Sequence, residues 1–180
     1  MTTFAAPLFD LADAERARDE WGANCGPASL AVVAGMTLDQ VRPWLGDFER
    51  KGYTNPTLMF DSLRRIGVRW TCTAVQCSSE NQGMLAWPAF GLARIQWEGP
   101  WTAPGVPIRV RYRHTHWVAS MGGEGQVFDV NCMSVGGWVP LSEWSRDVVP
   151  WLLKQCEPKA SGRWHLTHAV DCELPGRSSP

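Results

Sequence analysis

Trp21-Gly-Ala-Asn-Cys-Gly-Pro-Ala-Ser-Leu-Ala31 is the stretch on which the fold turns. Asn24 carries the short acceptor side chain of a helix N-cap, Pro27 is tolerated in a first turn, and Gly35 suits a left-handed stop. The pattern predicts a helix from Cys25 to about Ala34. A cysteine at that position lies among unpaired backbone N–H groups at the positive end of the helix dipole, and both favour thiolate over thiol. Gly26 would leave space above the sulfur for a substrate backbone. Standing alone, the same pattern describes a capped helix with a buried cysteine, so a chemical role needs a base elsewhere in the chain.

Arg113-His-Thr-His-Trp-Val-Ala-Ser120 supplies one. His116 heads the apolar run Trp117-Val-Ala, as a ring held at the edge of a core strand would. An imidazole there could form an ion pair with a thiolate and later protonate a leaving group. If Gly122 to Gly125 forms a tight turn, the residue opposite His116 on the return strand Gln126–Asn131 is close to Asn131, and a slip of two residues would put Asp129 there. Asp129 lies two residues back on the same side. Either could orient the imidazole through its second nitrogen; register favours Asn131. His114 and His116 lack a third ligand at metal spacing, and the six cysteines contain no CxxC pair, Cys72-x4-Cys77 being the nearest approach. No metal or cofactor is expected.

Helical signals dominate the first third. Thr37-Leu-Asp-Gln40 is a capping box ahead of Pro43, and Asn55-Pro56 opens a helix with Met59, Leu63 and Ile66 on one stripe, ending at Gly67. Strand patterns follow: Val68–Val75, Gly91–Trp97, a long one over Val106–Met121, the return strand, and Arg163–Leu174. A further helix over Leu141–Lys154 should break at Pro150. Helices first and an antiparallel sheet afterwards imply an α+β domain over residues 1–174, with a flexible tail at 175–180. On the long strand Arg109, Arg111 and Arg113 would alternate along one face, solvated or docking an acidic segment.

Composition narrows the classes. Of 180 residues 44% are hydrophobic and 19% charged, and the formal net charge is -1. That is too apolar for a disordered chain and gives no bulk reason to expect nucleic-acid or membrane-surface binding. Met1–Asp10 has no basic leader region, and the longest apolar run, Leu30–Met36, is far short of a membrane span, so a cytoplasmic protein is expected. Eleven residues are tryptophan, an unusual number. Trp70, Trp97, Trp117 and Trp164 fall in strand patterns. Trp87, Trp101, Trp138 and Trp144 lie in or beside loops, where indoles more often mark contact surfaces. Trp21 and Trp138, with Trp117 and Gly26, could line a substrate groove.

The order of a helix-borne Cys25 in Asn24-Cys-Gly-Pro-Ala28, a strand-borne His116-Trp-Val118 and a return strand Val127-Phe-Asp-Val-Asn131, followed by Gly136-Gly-Trp-Val-Pro-Leu-Ser-Glu-Trp144, resembles papain-like cysteine peptidases. The likeness is to the small C39-like branch related to bacteriocin-leader peptidases, and covers Trp21 to about Trp144. It implies the Cys helix packed on an antiparallel sheet and a stand-alone enzyme, of a type also encoded by phages and prophages, acting on a peptide or protein. Cys25 would be nucleophile, His116 base then acid, and Asn131 or Asp129 the orienter. In such enzymes a glutamine six residues before the cysteine helps hold the oxyanion. Here that position is Asp19, whose charge would repel it; the Cys25 amide with the Asn24 side chain is the alternative donor set. Cell-wall amidases and acyltransferases share this thioester chemistry, and a partner-binding pseudoenzyme is the reading that Asp19 favours.

Overall fold

Local signals place the N-terminal helices. In the computed structural model, which describes residues 6–74, 86–111, 113–156 and 159–173, α1 (Leu11–Trp21) starts at Asp10. The Asp10 carboxylate accepts from the Asp13 amide at 2.9 Å, and Asp13 accepts from the Asp10 amide at 3.2 Å. Gly22, at φ 78°, closes the helix. Asn24 then caps α2 (Cys25–Ala34), accepting from the Gly26 amide at 3.2 Å. Residues Gly26 to Val33 of α2 are all buried, the mark of an apolar helix covered on every side. The short α3 (Leu38–Val41) and α4 (Phe48–Lys51) lead to α5 (Pro56–Ile66), capped by Asn55 and stopped by Gly67 in the left-handed region.

Among the described residues six strands form one antiparallel sheet: β1 (Trp70–Ala74), β2 (Gly91–Trp97), β3 (Thr115–Met121), β4 (Gln126–Phe128), β5 (Trp138–Pro140) and β6 (Trp164–Cys172), in the spatial order β1-β6-β2-β3-β4-β5. Side chains alternate between its faces. Leu92, Trp117, Ala119, Phe128 and Val170 join the N-terminal helices in one core. Ala93, Ile95, Val118, Val127, Leu166 and Ala169 join Trp144, Val149 and Leu153 in a second core on the other face. The fold is therefore mixed helix and antiparallel sheet, with α2 laid across β3 and the Ser29 hydroxyl donating to the Trp117 carbonyl at 3.1 Å. Among the described residues no helix is long and apolar enough to cross a membrane.

Four expectations need revision. The long strand over Val106–Met121 begins only at Thr115. Pro107, which has no N–H to give a ladder, instead starts the short helix α6 (Ile108–Arg111), and His114 turns the chain at φ 52°. Arg109, Arg111 and Arg113 therefore do not share a strand face. The return strand stops at Phe128. The segment over Leu141–Leu153 is helical (α7, Leu141–Glu143; α8, Val149–Leu153), but its irregularity is a widened π-turn over Trp144–Val148, which ends two residues before Pro150. A proline removes an i→i−4 bond, and the chain absorbs that loss upstream. Finally α1, absent from the strand-and-helix reading, is a full helix. Val75, Cys77 and the tail at 175–180 lie outside the described residues.

Gly26 serves packing: a Cβ there would overlap the Thr54 hydroxyl. Gly26→Ala is expected to cost about 1–3 kcal/mol, the usual penalty of overpacking. Urea unfolding will measure it, and the double variant with Thr54→Ala should recover only part of the loss, because the Thr54 Cβ also lies within overlap distance. An unaltered midpoint in the single variant would show that the contact relaxes freely.

Candidate functional site

The start of α2 and the start of β3 meet at one corner, because α2 crosses β3 where Ser29 grips Trp117. There Cys25, half-buried, is hydrogen-bonded to the His116 ring, and the Trp117 backbone N–H also donates to its sulfur. His116 is buried, and its Nε2 lies 2.8 Å from Asp129 Oδ2, which leaves Nδ1 for the cysteine. The Trp97 ring stacks against the imidazole with centroids 5.8 Å apart.

Asp129 has no solvent exposure. A carboxylate so placed needs donors around it, and it has four. His116 Nε2 and Trp144 Nε1 share Oδ2, each at 2.8 Å; the Asn131 amide and side-chain Nδ2 share Oδ1 at 2.9 and 2.8 Å. Register alone points to Asn131 as the residue opposite His116, since Ala119 pairs with Phe128 and Ser120 with Val127. The ladder ends at Phe128, however. Asp129 then caps a 3₁₀ helix over Val130–Val135 by accepting the amide two residues ahead, and that turn draws Asn131 off the strand line. Asp129, not Asn131, touches the imidazole, and Asn131 supports the carboxylate.

The charges follow from this geometry. Burial pushes the Cys25 thiol up, but the His116 charge, the bond to its ring and the Trp117 amide together bring it below the ordinary value. Burial pushes His116 down, and the charges of Asp129 and Cys25 carry it well above 6.5. For Asp129 burial works upward, yet His116 and the donors from Trp144 and Asn131 hold it at about 2. The other described thiols (Cys72, Cys132, Cys156 and Cys172) all go up through desolvation, Cys132 and Cys172 to about 12. A thiolate–imidazolium pair resting on a carboxylate is what the arrangement favours.

A cavity of about 460 Å³ opens beside the pair. Leu11, Ala14, Glu15 and Arg18 of α1 line it together with Val130 and Asn131. None of the expected groove residues does so. Trp21 is buried against Phe48, with ring centroids 5.9 Å apart, and Arg42 lies over its ring. Trp117 is buried, its Nε1 donating to the Thr54 carbonyl at 2.7 Å. Trp138 packs edge-on to Phe128, and Gly26 lies under Thr54. Of the oxyanion candidates, Asn24 lines the cavity beside Cys25 and Asp19 does not. Asn24 spends its oxygen on the Gly26 amide and its Nδ2 on the Gly52 carbonyl at 3.1 Å. Asp19 points to solvent, its side chain 74% exposed beside Arg18. At the sulfur stand the Cys25 amide, a first-turn N–H with no intrahelical acceptor, and the Asn24 amide group, whose Nδ2 has a second hydrogen beyond the one given to Gly52.

Two contributors escape a reading of the sequence. The α1 wall could have been found from Asp10-x-x-Asp13 and the stripe Leu11, Ala14, Glu15, Arg18. Trp144 has no local signal, because it reaches Asp129 only through the fold. Among the described residues no group of three or more His, Cys, Asp or Glu is placed to hold a metal ion. Compared with protein-family models, curated proteins and solved structures, the chain finds no match.

Because His116 is raised in the folded state, its stabilising contribution is complete below about pH 6.5 and is lost as pH rises through the folded value. Asp129 works in the opposite sense, contributing above about 3.9 and failing as pH falls toward 2. NMR titration of the His116 ring should move to lower pH in Asp129→Asn and far less in Asn131→Ala; equal effects would refute the assignment of Asp129 as the contact. Trp144→Phe leaves a buried charge short of one donor and is expected to cost about 1–3 kcal/mol in chemical denaturation.

Proposed function

We propose that the chain is a thiol-dependent hydrolase of papain-like, C39-like type, cleaving a peptide or other amide bond. The observation that carries this reading is the continuous hydrogen-bonded series Cys25–His116–Asp129, in which one thiol is driven toward thiolate while the other described thiols are driven away from it. The series agrees with the family resemblance of the Cys25, His116 and Asp129 segments.

In this reading the Cys25 thiolate attacks the carbonyl carbon of the scissile amide. A C–S bond forms as the carbonyl π pair moves to oxygen, and the Cys25 amide donates to the developing oxyanion. As that pair returns, the C–N bond breaks, and the His116 imidazolium gives its proton to the departing amine. A water molecule then attacks the thioester, neutral His116 taking its proton, and thiolate leaves as the carboxylic acid is released. Asp129 stays ionised throughout, fixing the ring orientation and stabilising the imidazolium. Passing the acyl group to an amine instead of water would need the same groups, so amidases and acyltransferases share this chemistry. The pseudoenzyme reading rested on a repelling Asp19, and that carboxylate faces solvent. The unpaired described cysteines fit a reducing compartment such as the cytoplasm.

Turnover should be sought with quenched peptide libraries, peptidoglycan fragments and amine acceptors. Cys25→Ala and His116→Ala are each expected to lower amide turnover by about 10³-fold or more. Iodoacetamide labelling gives the independent check: Cys25 should alkylate at neutral pH faster than a free thiol, and His116→Ala should abolish that advantage. Labelling of wild-type Cys25 at the free-thiol rate would sink the catalytic reading.

A further inference from the structure

The cavity beside Cys25 carries one cation from α1 that the reaction just described does not use. Arg18 stands on the α1 stripe that lines the cavity, in the last helical turn, where the helix dipole favours positive charge. Its ion-pair partner is its neighbour Asp19, at 3.4 Å, with side-chain exposures of 64% and 74%. A pair so exposed is worth little, so the guanidinium can be recruited by a ligand. The other arginine of α1, Arg16, is committed elsewhere: it bonds Asp39 at 3.0 and 3.3 Å and also reaches Asp13 and Glu20. Glu15, three residues before Arg18, lines the same cavity, and among the described residues no hydrogen bond or ion pair of Glu15 is found. The cavity thus offers a weakly paired cation, an anion one turn away and an apolar patch of Leu11, Ala14 and Val130.

Taking Cys25 as the nucleophile, as above, we propose that Arg18 determines specificity: the cavity accepts a carboxylate-bearing group of the substrate, an acidic peptide side chain, through a charge-assisted bond to the Arg18 guanidinium. Its fork of donors matches a carboxylate in two parallel bonds. Glu15 then disfavours any second negative charge in the same space. Arg18 is too exposed to act as a pre-organised oxyanion donor, which requires a dry, fixed site. Its place is at the substrate, away from the reacting carbonyl.

Two alkylating probes of nearly equal size test this on the intact chain. Iodoacetate and iodoacetamide both react by attack of the Cys25 thiolate on the iodinated carbon, forming C–S, breaking C–I and releasing iodide; they differ in charge. The readout is the iodoacetate-to-iodoacetamide rate ratio at Cys25, followed by peptide mass analysis. Arg18→Ala is expected to lower this ratio about threefold to tenfold, as for loss of one partly exposed charge contact, and added salt should lower it in the wild type. Arg18→Glu should lower it further, and Glu15→Gln should raise it. Arg64→Ala, removing a guanidinium paired with Asp61 on α5, serves as control and should leave the ratio alone. A ratio unchanged in both Arg18 variants, with iodoacetamide still reacting faster than at a free thiol, overturns the inference and spares the catalytic reading. Iodoacetamide reacting only at the free-thiol rate in the wild type sinks the catalytic reading itself. Protection of Cys25 by N-acetylglutamate α-amide, but not by N-acetylglutamine amide, is expected for an acidic side chain. Stronger protection by N-acetylglycine overturns that assignment in favour of a free carboxyl terminus.

Discussion

A carboxylate without solvent exposure, held by four N–H donors, sits where a strand, a 3₁₀ turn and a π-turn have to agree. Asp129 satisfies its lone pairs from β3 through His116, from its own turn through Asn131, and from the π-turn through Trp144. Removing any donor leaves a buried charge undercompensated, which makes the arrangement intolerant of small displacements. The helical segment over Leu141–Leu153 is therefore more than a cover for the second core. It delivers an indole N–H to the oxygen that also holds the imidazole.

The tryptophans look different in this light. Trp97 lies on the His116 ring and Trp144 bonds its carboxylate, while Trp87, Trp144 and Trp164 meet edge to face. Large planar side chains fill the second core beneath the pair and exclude water from it, which strengthens each charge interaction inside. Trp21, Trp117 and Trp138 do the same for the first core. The indoles around this site are supports; the cavity itself is walled by a short-chain and charged face of α1. The Cys25–His116 pair thus has tryptophan packing behind it and an open cavity in front.

Much of this was legible locally. The Cys25 helix, its Asn24 cap and Gly35 stop, the α5 helix with its Asn55-Pro56 start, and the pairing of β3 with β4 all follow from capping, glycine conformation and period-two alternation. Those interactions span a few residues and leave a mark in the sequence. The choice between Asn131 and Asp129 did not. The β3–β4 register holds as far as Phe128, where an Asx-type turn competes with the next rung of the ladder and wins. Likewise Pro107 shortened a strand that periodicity alone would extend.

The sequence by itself determined which thiol would sit at a helix start, which histidine would head a core strand, and that helices would precede an antiparallel sheet, because each depends on caps, turns and hydrophobic period. Only the tertiary structure decided that Asp129 holds the imidazole, that Trp144 holds Asp129, that Gly26 makes room for Thr54, and that α1 lines the cavity. Those contacts join residues from elements that meet only in the folded chain. Burial is what gives them their energy, and burial is a property of the whole fold that no local pattern encodes.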